Sequence, residues 1–85
     1  MAMASRNIIR KRLRIARTRA TPPITQEELA ARLQVQSLPI ERATISKIET
    51  GYREVTDVEV AAIARILGVS IGWLFGENDK SNNLR

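Results

Sequence analysis

The segment from Glu41 to Gly51, ERATISKIETG, holds the residues whose types and spacing offer the clearest chemistry. Wound as a helix at about 100° per residue, it puts Ile45, Ile48 and Glu49 on one side. Ala43, Ser46, Lys47 and Thr50 point the opposite way, with Arg42 and Thr44 flanking that outer strip. A helix that only has to stay soluble carries long Glu and Lys side chains outward. Here the outward positions are small or cationic, which lets the backbone come close to a large polyanion while Arg42 and Lys47 reach into it. The plain alternative is a solvated face, and the neighbouring segments decide between the two.

Other chemistries have little to build on. The chain has no cysteine and no histidine, which removes disulfides, thiol catalysis and the usual zinc sites. No glycine-rich phosphate loop and no metal-ligand cluster is present, and Glu27 and Glu28 look like helix-start residues rather than an acid/base pair. The chain is therefore expected not to be an enzyme, and to need no cofactor or metal. The stretch ILGVSIGWLFG is too short to span a bilayer, and MAMASRN is not followed by the apolar core of a signal peptide. A soluble, cytoplasmic protein is expected.

The net charge of +5 is unevenly placed. Residues 1–26 hold Arg6, Arg10, Lys11, Arg12, Arg14, Arg17 and Arg19 and no acid, whereas residues 27–85 carry seven bases against nine acids. Such a block attracts nucleic acid or an anionic membrane surface. Arg6, Arg10 and Arg14, at four-residue spacing, form either a solvated face or a set of backbone contacts to a polyanion.

The elements that must position these groups are all helical. Residues 6–19 read as a first helix, with Ser5 a candidate cap, Ile9, Leu13 and Ala16 facing a core, and TPP at 21–23 ending it. In ITQEEL, Thr25 and Glu28 are spaced as a capping box and Ile24 can staple to Leu29, which starts a second helix that frays near Gln36 to Ser37. The third runs from Arg42 to Thr50 and closes on Gly51. Thr56 with Glu59 repeats the capping-box signal for a fourth, through Ala61, Ile63, Ala64 and Leu67 to Gly68. Ser70 caps a short fifth that ends at Gly76. Trp73, Leu74 and Phe75 suit either a core or a dimer surface. The expected organisation is a flexible N-terminus at 1–5, one all-α domain of five helices at 6–76, and a mobile tail at 77–85.

The second and third helices, with TQEELAARL followed by ATISKIETG and then IARILGVSIGWLFG, resemble the Cro/phage-repressor type of helix-turn-helix DNA-binding domain, which is lambda-repressor-like in fold. The resemblance implies that the third helix is a recognition helix in the major groove of double-stranded DNA, with Arg42, Ala43, Ser46 and Lys47 as the base-reading residues. Arg42 and Lys47 can donate to guanine O6 and N7, and Ala43 can touch a thymine methyl. By the same resemblance Gln26 and Thr44 contact phosphates, Tyr52 and Arg53 lie in a loop along the DNA backbone, and Arg17 and Glu49 bridge the first helix to the end of the third. Arg10 is a further backbone-contact candidate.

Three features depart from the family pattern. QVQSLPIE makes the connection between the second and third helices longer than the commonest spacing, so it must extend the second helix or bulge the turn. RTRATPP lengthens the first connection. Glu41 stands where a Ser or Thr commonly caps the recognition helix. Its carboxylate can cap, sit near phosphates, or face a cytosine amino group. The function implied is that of a transcriptional regulator, a repressor on a two-fold operator and so a homodimer. The alternatives are an autorepressing antitoxin that also binds a toxin protein, or a protein-interaction or membrane-surface module that uses the basic first helix.

Overall fold

The computed structural model describes residues 8–77, which form five helices and no strand. The helices are α1 (Arg10–Arg19), α2 (Gln26–Val35), α3 (Arg42–Thr50), α4 (Asp57–Leu67) and α5 (Ile71–Leu74). α3 packs on α1 and α2, α4 packs on α2 and α5, and α1 reaches α4 and α5 as well. One apolar cluster joins all of them. Ile9, Leu13, Leu29, Leu33, Ile40, Ile45, Ile48, Ile63 and Leu74 are its largest fully buried side chains.

Local chemistry starts and stops the helices. Thr25 Oγ1 accepts from Glu28 N, Thr56 Oγ1 from Glu59 N, and Ser70 Oγ from Trp73 N. Each satisfies a backbone donor that the helix leaves unpaired. Around Thr56 the box is reciprocal, because the Glu59 carboxylate also accepts from Thr56 N at 3.0 Å. Around Thr25 only half of the expected box forms: Arg32, one turn along, draws the Glu28 carboxylate into an exposed ion pair at 2.6 Å. α1 starts at Arg10 rather than at residue 6, and residues 8 and 9 make a turn. Ile9 takes the N-cap position with its side chain fully buried, so the α1 start is set by core packing and has no side-chain cap. The cap expected at Ser5, the segment 1–5 and the tail beyond 77 lie outside the described residues.

Four helices end in the same way. A residue one or two positions past the helix takes a left-handed conformation, and the next amide reaches back five residues: Leu38 N to Leu33 O, Tyr52 N to Lys47 O, Val69 N to Ala64 O, and Glu77 N to Gly72 O. Glycine fills the left-handed position at Gly51, Gly68 and Gly76, but Ser37 fills it after α2 with φ of 68°.

That serine answers the question of the long connection. α2 is not extended; it stops at Val35, and residues 36–41 form a bulged turn held at both ends. Gln34 Nε2 donates to Ile40 O at 2.9 Å, and Ile40 itself, not foreseen as core, is 2% exposed. On α4 Val60, Ala62, Ile63 and Ala64 are buried, while Ala61 and Leu67 are half-buried. α4 contacts α1, α2 and α5, so its buried face is wider than a single helical stripe.

Candidate nucleic-acid interface

α3 separates its two faces as the spacing predicts. Ile45 and Ile48 are fully buried, while Arg42, Ala43, Lys47 and Thr50 are exposed and Thr44 and Ser46 half-buried. Around the axis, small Ala43 and Ser46 lie between the two cations, with Arg42 on one flank and Lys47 on the other. Among the described residues no hydrogen bond or ion pair engages the side chains of Arg42 or Lys47. No pocket forms among the described residues either. The strip is the convex outer surface of a helix, suited to entering a groove.

Behind that strip sits a polar clamp. Arg17 Nε donates to Glu49 Oε2 at 2.7 Å and Arg17 Nη2 to Glu49 Oε1 at 2.9 Å, with side-chain exposures of 11% and 4%. Arg17 Nη1 also donates to Ile24 O at 3.0 Å, and Ile24 N donates back to Arg17 O at 3.0 Å. Gln26 Nε2 adds a third donor to the carboxylate, 3.0 Å from Glu49 Oε1. A carboxylate that loses its water must be supplied with such donors. One ion pair thus fixes the inner face of α3 to α1, to the lengthened first connection and to the first residue of α2. Gln26 is held at the start of α2, where helix N–H groups favour an anion.

The other candidates separate along α3. Arg42 and Ala43 stand at its N-terminal end. At the far end, about 12 Å along the axis at 1.5 Å per residue, Arg10 Nη1 donates to Thr50 O at 3.4 Å and lies beside Gly51. Tyr52, 87% exposed, follows in the same turn. Arg10 therefore complements the negative end of the helix dipole, and only the remainder of its guanidinium faces outward. Thr44 is half-buried on the flank of the strip.

Arg53 lies in the loop after Gly51, and its guanidinium is engaged within the fold. Its Nη1 and Nη2 donate to Glu59 Oε1 and Oε2 at 3.0 and 2.9 Å, and Nη1 also reaches Glu54 O at 2.8 Å. The guanidinium holds the Glu59 carboxyl below the ordinary carboxylate range, against a burial effect that pushes it up, and Glu59 in turn raises the arginine. A neutralised cation braces the loop before α4 and offers less to a phosphate than an unpaired one does.

Several positioning residues carry no signal in the sequence. Arg12 lies over the Trp73 ring at 4.8 Å and donates to Trp73 O at 3.2 Å, so the basic first helix fastens the end of α5. Trp73 packs against the core from a half-buried position, while Phe75 is 44% exposed. Glu41, next to the strip, makes no cap bond with its side chain.

Comparison with known families bears on the same residues. A family model described as helix-turn-helix matches residues 24–74, more than half of the chain, from the residue before the α2 cap to the last residue of α5. No curated protein and no solved structure matches. No helix among the described residues is long and apolar enough to cross a membrane.

Proposed function

This chain belongs to the Cro/C1-type helix-turn-helix family of DNA-binding regulators, and from that premise we propose that it is a transcriptional repressor occupying a two-fold operator. In this reading α3 lies in the major groove. Arg42 and Lys47 donate to base edges, while Ala43 and Ser46 allow the helix backbone to sit close to the bases. Gln26, Thr44, Tyr52 and the outward part of Arg10 set the register through phosphates, and most of the affinity comes from such contacts. The working form is a homodimer, whose recognition helices reach half-sites about 34 Å apart.

The observation that carries this reading is the asymmetry of α3. Its inner face is fixed by Ile45, Ile48 and the Arg17–Glu49 clamp, and its outer face presents two cations with no partner among the described residues. A merely solvated helix does not need its back locked by a buried ion pair. The rival module built on the basic first helix has fewer free guanidinium groups to work with, since Arg17 is paired with Glu49 and Arg10 and Arg12 are tied to backbone carbonyls.

The test is selection from a random duplex library, with sequencing of the bound pool, for the wild type and for Arg42→Ala and Lys47→Ala. A two-fold motif is expected, with preference relaxed by about 1–3 kcal/mol at the position each cation reads. A pool without enrichment, bound equally by all three proteins and only at low salt, would overturn the proposal.

A further inference from the structure

Glu41 combines a fixed backbone with an unengaged charge. On one side Ile40 is buried and its carbonyl is held by Gln34 Nε2. On the other, Glu41 O accepts from Thr44 N at 2.9 Å and Ile45 N at 3.0 Å, opening α3. The residue itself is exposed, and its carboxylate neither caps the helix nor pairs with any cation among the described residues. Glutamate, one methylene longer than the usual capping aspartate, leaves the first-turn amides without a side-chain acceptor here and keeps its own charge outward. The bulged turn thus delivers an anion to the leading end of the helix whose next residue is Arg42.

In a DNA complex that anion opposes every nearby phosphate, so it weakens binding to all sequences unless a base donates to it. The major groove offers few donors. Guanine presents two acceptors, thymine an acceptor and a methyl, and only cytosine N4 and adenine N6 carry N–H groups. Adenine places its own N7 acceptor beside the donor, where it repels a carboxylate; cytosine has a C–H there, and its neighbouring acceptor is the O6 of the paired guanine. On the reading that α3 enters the major groove, we propose that Glu41 is a specificity-determining residue. It accepts a hydrogen bond from cytosine N4 and rejects guanine and thymine at one position of each half-site.

The residue would act less by adding affinity than by penalising wrong sites, a repulsive element in an otherwise attractive surface. Replacement by alanine should therefore tighten binding to unrelated DNA while erasing one letter of the motif. Replacement by glutamine, which both donates and accepts, should move that letter towards adenine, whose N6 and N7 match an amide.

The experiment runs the full chain, as wild type, Glu41→Ala and Glu41→Gln, through the duplex selection, with affinity for a scrambled duplex measured alongside. Cytosine is expected to exceed guanine and thymine at one position by about ten- to a hundredfold in the wild type. That preference vanishes with alanine and turns to adenine with glutamine, while the letters sensitive to Lys47→Ala stay unchanged. An enriched motif that is the same in all three proteins overturns the role of Glu41 and leaves the repressor proposal standing. A wild-type pool with no motif overturns both.

Discussion

Breaking the Arg17–Glu49 pair from either side should cost far more than losing both partners together. Arg17→Met leaves the Glu49 carboxylate, 4% exposed, with Gln26 Nε2 as its remaining donor. Glu49→Met leaves the guanidinium, 11% exposed, with Ile24 O. Removing one member of a buried pair costs about 3–5 kcal/mol, because the survivor stays desolvated and uncompensated. A chain of this length has a total stability of about 4–13 kcal/mol, at 0.05–0.15 kcal/mol per residue. Either single variant is thus expected to lose a large part of its stability. The double variant replaces both charges by apolar stems of similar length and should recover at least about 2 kcal/mol of the summed cost. Urea unfolding followed by the fluorescence of Trp73, the one tryptophan, measures all four corners of the cycle. Single losses below about 1 kcal/mol that add without coupling are what an exposed pair gives, and they would refute the clamp.

Two further outcomes follow from the same geometry. Ser37→Gly should stabilise the fold by roughly 0.5–1 kcal/mol, since a left-handed non-glycine costs about 1–2 kcal/mol and glycine gives back about half of that as unfolded-chain freedom; a thermal midpoint that falls instead would contradict it. Glu59 titrates below its unfolded value, held down first by the Arg53 hydrogen bonds. Its contribution is therefore complete above the unfolded carboxylate pKa of about 4.3 and is lost as pH falls through the lower folded value. Glu59→Gln should flatten the stability profile in that acid window and leave its shape near neutrality unchanged, as read by unfolding at a series of pH values.

Most of the helical plan was legible because its signals are local. A hydroxyl three residues before its amide partner, a glycine just past an apolar run and a repeat of about 3.6 residues each specify a structure without reference to the rest of the chain. Thr25, Thr56, Ser70, Gly51 and the inner face of α3 were readable on those terms. What escaped depends on distant partners. Nothing near Gln34 announces that its amide holds Ile40 O, and Ser37 does not look like a residue for a left-handed turn. The first helix was read as surplus charge because arginine gives the same composition whether it faces a phosphate or a carbonyl. Family resemblance located the Arg17–Glu49 pair, but it carried no information on Arg12 over Trp73 or on the neutralisation of Arg53 by Glu59.

The arginines of α1 also set an order of events. Arg17 finds Glu49 32 residues later in the chain, Arg10 finds the carbonyl of Thr50 40 residues later, and Arg12 finds that of Trp73 61 residues later. During synthesis at about 5–20 residues per second, Arg12 is therefore made some 3–12 s before its acceptor. Until Glu49 and the carbonyls of Thr50 and Trp73 are made in turn, Arg17, Arg10 and Arg12 lack the acceptors that they hold in the fold. The fastening of α1 is thus stepwise, and it is complete only once α5 has been translated.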